Sequence, residues 1–312
     1  FGRTLDYEFS YGEEIVIMPR NFKIKLGGEE CNSHYAIIGM AHIERGYPLF
    51  YDALNEKGLA MGGLNFVGNA AYNKPLNGAE NVAQYEFISR ILCRCSTVRE
   101  AVETIRNINI TDEPFSDNLP AASLHWMIAD KDSAVTVESM KNGVNIYDNK
   151  VGALTNNPPF DFQMQSLCDY MHLSPNRPKN NFSKELNLEC YSRGMGAIGL
   201  PGDYSSQSRF VRAAFVRANS IDCTDETAAV SQFFHILGSV EQVKGCCDVG
   251  DGKFEYTIYT SCTDIERGIY YYTTYDCRGI EAVDMHAEDL DSDKLIAYPL
   301  NFNERIFRRN RL

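Results

Sequence analysis

The residues with the most chemical potential stand at the start of the chain. Arg3 and Asp6 lie three apart in Phe1-Gly2-Arg3-Thr4-Leu5-Asp6-Tyr7, among apolar and aromatic neighbours. A guanidinium and a carboxylate in such company are costly to bury unless they pair or serve a site. The stretch therefore reads either as a surface ion pair worth ~0–1 kcal/mol or as part of a reaction centre. Gly2 lets another backbone come close at that point. Two asparagines stand out further along. Asn65 ends the run Gly62-Gly63-Leu64-Asn65, and Asn156 sits in Leu154-Thr155-Asn156-Asn157-Pro158-Pro159, where a predicted strand stops at prolines. Asparagine at a strand end is ordinarily a turn residue. The sharper reading aims its N–H groups at a developing oxyanion, where losing one donor costs ~10²–10³ in rate. Arg209, in Ser208-Arg209-Phe210, falls in the first turn of a predicted helix. The helix dipole disfavours a cation there, and that misfit hints at a task, although a solvated arginine is the usual outcome.

Other chemistries find no support. The chain has no H-E-x-x-H, G-x-S-x-G or S-x-x-K motif, and the glycines 194, 196, 199 and 202 lack the spacing and ending of a phosphate loop. The six histidines do not cluster. His125 in a strand and His235 in an apolar helix read as satisfied core residues rather than ligands. No C-x-x-C pair occurs, so no zinc site, and no other metal or cofactor, is expected.

The elements that must hold these residues follow from periodicity. Glu14–Met18, Tyr35–Met40, Pro48–Asp52 and Leu59–Phe66 read as strands, the last small and apolar as if buried on both faces. Residues 82–108 recur at helical spacing with a break near Ser96-Thr97, which predicts two helices, the second capped there with Glu100 near its third position. A meander over 124–155 includes a strand at 151–155, then a helix begins at Phe160. Residues 174–190 form a long polar loop. Helices at 205–219 and 224–237 precede a hairpin over 254–275, and two strands follow near 281–285 and 295–300. The order strands, two helices, strands, two helices, strands, joined by hairpins, predicts an α+β fold: antiparallel sheets sandwiched between helices. No repeat or linker divides residues 1–312, which read as one domain.

Composition narrows the partners. The 312 residues carry a net charge of −12 and 44% hydrophobic content, enough for a large core. That charge argues against nucleic acid and against anionic membrane surfaces. No run of ~18 apolar residues predicts a membrane span. An anionic substrate would need a local basic spot, which makes Arg3 and Arg209 more informative. The ten cysteines have irregular spacing and read mostly as reduced thiols of a cytoplasmic protein. The run Arg305–Arg311 reads as a solvated tail. The chain opens on Phe1, without methionine, inside a predicted strand, so further residues are expected upstream.

Taken together, Phe1-Gly2-Arg3-Thr4-Leu5-Asp6, Asn55-Glu56-Lys57-Gly58-Leu59, Gly63-Leu64-Asn65-Phe66, Leu124-His125-Trp126, Leu154-Thr155-Asn156-Asn157-Pro158, Gly199-Leu200-Pro201-Gly202-Asp203, Ser208-Arg209-Phe210 and the 259–272 hairpin resemble the choloylglycine hydrolase family of bile salt hydrolases and penicillin V acylases. The resemblance runs end to end. It implies an N-terminal-nucleophile (Ntn) hydrolase with a four-layer αββα sandwich. In that scheme an N-terminal cysteine attacks an amide, with its own α-amine as general base. That cysteine is expected just upstream of Phe1, and none of the ten present occupies its place. By motif matching, Asp6 orients the amine, Arg3 lowers the thiol pKa, Asn65 and Asn156 form the oxyanion hole, and Arg209 supports the charged state. Leu5, Tyr11, Phe115, Leu119 and Leu124 fall where the family places its steroid-facing pocket; Leu119 and Leu124 read equally as plain core. The resemblance further implies a bacterial cytoplasmic homotetramer acting on conjugated bile salts. Penicillin V acylase is the alternative. A non-catalytic binder of amphipathic anions is the reading if Phe1 is the genuine terminus.

Overall fold

A computed structural model describes residues 1–310; Arg311 and Leu312 lie outside the described residues. Twelve strands build two antiparallel sheets: β1 (Thr4–Tyr7), β2 (Glu14–Met18), β3 (Ile37–Glu44), β4 (Tyr47–Asn55), β5 (Ala60–Asn65), β6 (Leu124–Ala129), β7 (Ala134–Met140), β8 (Gly143–Asp148), β9 (Tyr256–Asp264), β10 (Ile269–Thr274), β11 (Cys277–Asp284) and β12 (Ile296–Pro299). The smaller sheet has the order β1-β9-β10-β11, and the larger β8-β7-β6-β5-β4-β3-β2-β12. The helices are α1 (Phe87–Leu92), α2 (Val98–Ile105), α3 (Phe160–Ser166), α4 (Ser206–Asn219) and α5 (Glu226–Gly238).

Side-chain alternation along β2 explains the layering. Ile15 and Ile17 point to one face, Val16 and Met18 to the other, and all four are fully buried. The first pair joins Ile38, Met40 and Leu54 against Ile258, Tyr270 and Tyr272 of the smaller sheet. The second pair joins Ile37, Phe50 and Met61 against Phe87, Ile91 and Leu92 of α1 and Val98 and Ile105 of α2. An apolar run without alternation thus marks a strand covered on both sides. Helix α5 lies against β9 on the outer face of the smaller sheet. The result is the expected αββα sandwich.

Helix α2 begins where the sequence predicts: the Thr97 hydroxyl accepts from the Glu100 N–H at 3.2 Å, and the Glu100 carboxylate accepts from the Ser96 N–H at 2.7 Å. Two expectations change. Residues 151–155 form no strand, because side chains replace the ladder there. Asn149 donates to the Ala153 carbonyl at 3.0 Å and accepts from the Gly152 N–H at 2.8 Å. His235 faces solvent rather than the core. Residues 305–310 of the basic tail are exposed. All ten cysteines are free thiols. Among the described residues no helix is long and apolar enough to cross a membrane.

Candidate active site

Strand β1 is held only on one side, by β9, and its other side looks into a cavity of about 1580 Å³. The chain can lie so close to β9 because position 2 is glycine: a Cβ there would stand 2.1 Å from the Ser261 carbonyl oxygen. The ladder slips between Leu5 and Asp6 and sets Asp6 opposite Thr257. The Thr257 hydroxyl donates to the Asp6 carboxylate at 2.5 Å, and the Thr4 hydroxyl donates at 3.2 Å.

From Asp6 a continuous line of contacts crosses the cavity wall. The Arg209 Nη1 lies 3.7 Å from Asp6 Oδ2, and both side chains are more than nine-tenths buried. The other arm, Nη2, donates to Asn156 Oδ1 at 2.6 Å, while Nε donates to the Tyr204 carbonyl at 3.0 Å. A guanidinium only donates, so it fixes which end of the Asn156 amide is oxygen. The Asn156 Nδ2 therefore faces the other way and donates to the Asn65 carbonyl at 3.0 Å. One of its two hydrogens is left for another acceptor. The Asn65 side chain makes no hydrogen bond among the described residues. Arg3 completes the wall, donating through Nη1 to the carbonyls of Gly63 at 2.6 Å and Tyr51 at 3.1 Å. All five polar candidates, Arg3, Asp6, Asn65, Asn156 and Arg209, thus line one cavity.

The position of Arg209 explains its misfit with the helix dipole. Ser205 caps α4 by accepting from the Ser208 N–H at 3.4 Å, and Arg209 reaches back from the first turn to the loop bearing Asn156. A neutral side chain would leave Asp6 nearly buried without a cation.

Of the apolar candidates, Leu5, Tyr11 and Leu124 line the same cavity. The structure places Phe115 and Leu119 elsewhere. The Phe115 N–H donates to the Leu119 carbonyl at 3.1 Å, closing a tight turn. The Phe115 ring then packs near Tyr47 and Tyr85 at 5.6 and 5.2 Å, which holds it off the cavity wall.

Sequence reasoning passed over Asp52, which lies fully buried between the two sheets. Its carboxylate accepts from the hydroxyls of Tyr259 and Tyr270 at 2.7 Å each and of Ser261 at 3.1 Å. Burial pushes its pKa up, and nearby Arg3 opposes that shift. The available signal was an acidic residue inside the otherwise apolar strand Pro48–Leu54. Glu255 also lines the cavity; burial pushes its carboxyl up and the charge of Asp6 adds to this.

Four of the thiols are poor nucleophiles. Burial pushes Cys262 up to about 11 and raises Cys93, Cys95 and Cys247 as well. Cys223, which lines the cavity, is exposed in the turn between α4 and α5.

Residues 1–298 match the model of the linear amide C–N hydrolases, choloylglycine hydrolase family. A bile salt hydrolase/transferase of Lactiplantibacillus plantarum is 50% identical over 311 residues, covering 99% of this chain and 96% of the relative. One from Clostridium perfringens is 40% identical over 305 residues, covering 96% and 93%. The crystal structure of a conjugated bile acid hydrolase variant from Clostridium perfringens superposes with a TM-score of 0.92 at 39% identity, covering 99% of this chain and 96% of that one. Penicillin V acylase from Agrobacterium tumefaciens superposes at 0.75 with 19% identity, covering 95% and 86%, a likeness of fold alone.

Proposed function

The chain belongs to the choloylglycine hydrolase family of linear amide C–N hydrolases, and we propose that it cleaves the amide joining a bile acid to glycine or taurine. The observation that carries this reading is the unbroken line Asp6–Arg209–Asn156–Asn65 along one wall of a cavity that also bears Leu5, Tyr11 and Leu124. An amide hydrolase needs donors where negative charge develops and an apolar wall for the acyl group. Asn65 and Asn156 are the donors. Arg209 holds the Asn156 carboxamide by its oxygen, so the amide is oriented before substrate arrives. Asp6 orients the amine of the attacking cysteine, and Arg3, whose side chain is otherwise satisfied only by carbonyl groups, supplies positive potential that favours the thiolate. The nucleophile in this reading is the N-terminal cysteine of the family scheme; the raised thiols of Cys93, Cys95, Cys247 and Cys262 do not suit the role. Leu5, Tyr11 and Leu124 contact the steroid body, each well-buried side chain adding ~1.5–3 kcal/mol.

The full-length protein incubated separately with taurocholate, glycocholate and penicillin V tests this. Release of taurine or glycine faster than penicillin cleavage is expected. Faster penicillin turnover makes the chain an acylase, and bile-salt binding without release of either amino acid makes it a binder. The protein is further proposed to belong to the bacterial cytoplasm, supported by its bacterial relatives and free thiols, and to be a homotetramer on the family resemblance alone; sedimentation equilibrium at the monomer mass would refute the tetramer.

A further inference from the structure

A buried pair lies directly behind the two asparagines. His125 of β6 and Glu138 of β7 have no solvent exposure. His125 Nδ1 is 3.1 Å from Glu138 Oε1, and Nε2 is 2.7 Å from the Thr155 carbonyl oxygen. A carbonyl only accepts, so Nε2 carries a hydrogen, and one further proton lies between Nδ1 and Oε1. The same carboxylate oxygen accepts from the Phe160 N–H at 2.9 Å, while Glu138 Oε2 has no partner among the described residues. The imidazole also stacks on Phe66, ring centres 4.2 Å apart and planes 6° from parallel.

These contacts have a common geometry. Thr155 precedes Asn156, and Phe66 follows Asn65. One ring therefore bears on the residue beside each donor, through a hydrogen bond to the Thr155 carbonyl on one side and a face stacked on the Phe66 ring on the other. The end of strand β5 and a loop far from it in sequence are referred to a single rigid object anchored in the larger sheet. A plain core position would be filled more cheaply by an apolar side chain, because a buried ionisable pair with one oxygen unpartnered is costly.

We propose that His125, held by Glu138, is a positioning residue that sets the relative placement of Asn65 and Asn156. The proposal rests on the reading of those asparagines as oxyanion donors. The pair touches no cavity space and makes no contact with substrate, so its effect falls on the chemical step.

The test uses full-length protein and taurocholate, with kcat expressed per folded molecule from circular dichroism. His125→Phe keeps a ring against Phe66 but loses both hydrogen bonds. It is expected to lower kcat ~10–100-fold while KM stays within about twofold, since small misplacements of catalytic groups are amplified in rate. His125→Gln, whose side-chain amide can still donate towards the Thr155 carbonyl, is expected to recover most of that loss. Should His125→Phe fail to fold, Glu138→Gln decides: a fall of about tenfold or more in kcat at unchanged KM supports the proposal. Folded variants with kcat within about twofold of the parent, or with the loss confined to KM, overturn it. Asn156→Ala is measured alongside. If it too leaves hydrolysis unchanged, the oxyanion reading has failed; if it is slow while the dyad variants are not, only the positioning role has failed.

Discussion

At the scale of residues, the wall works because each polar group leaves its neighbour one usable direction. Arg209 takes the oxygen of Asn156, which commits the nitrogen to Asn65 and the cavity. Asn156→Ala should lower kcat ~10²–10³-fold with an unchanged circular dichroism spectrum, the cost of one oxyanion donor; an unaltered rate would remove the assignment. Arg209→Lys keeps the charge but not the fork that spans Asp6 and Asn156. It should slow the reaction ~10-fold or more at nearly constant KM, read by steady-state kinetics. The sequence carried a real trace of this residue, a cation placed against a helix dipole. It carried almost none of Asp52, whose partners stand more than two hundred positions away in β9 and β10.

At the scale of elements, helix α4 is the arm that delivers Arg209, and its first turn is clipped by Asp203. The carboxylate accepts from the Ser205 N–H at 2.9 Å and the Ser208 hydroxyl at 2.6 Å. Hydrogen bonds from Ser205 and Ser208 pull Asp203 down from 3.8 to about 2. A carboxyl depressed in the folded chain stabilises it fully above its ordinary pKa, and that contribution disappears as pH falls through the folded value. Asp203→Asn should therefore melt below the parent at neutral pH, and the gap should close as pH is lowered from 3.8 towards 2. The side chain is solvent-facing, so the gap is small; a gap independent of pH would show that the clip is not electrostatic. Helix caps were legible because they are local: Thr97 and Glu100 announce α2 within one turn. The strand expected at 151–155 failed because Asn149 closes a side-chain turn that no hydrophobic pattern reveals.

At the scale of the whole molecule, Asp52 ties the larger sheet to the smaller through three hydroxyl donors in an otherwise apolar interior. Asp52→Ala leaves Tyr259, Tyr270 and Ser261 buried without that acceptor. At ~1–3 kcal/mol per unsatisfied group, with partial relaxation, it should destabilise the fold by ~2–5 kcal/mol in urea unfolding. A midpoint shift under about 1 kcal/mol would mean that the hydroxyls find other partners. The same interior explains the tyrosine run 270–272. Its alternate members Tyr270 and Tyr272 turn into the core between the sheets, while Tyr271 is half-buried on the opposite face and its hydroxyl donates to Glu226 of α5.

Periodicity, caps and turn residues determined the layers of this protein, because they depend on neighbours within a few positions. The order of its short motifs pointed to the reaction and to five polar residues that share one cavity. Tertiary structure decided what those residues face. It took Phe115 and Leu119 from the cavity by closing a local turn, and it set a buried histidine behind both asparagines. Burial and donor–acceptor pairing across hundreds of positions leave no periodic mark in a sequence, and only the packed sheets bring such partners within hydrogen-bond reach.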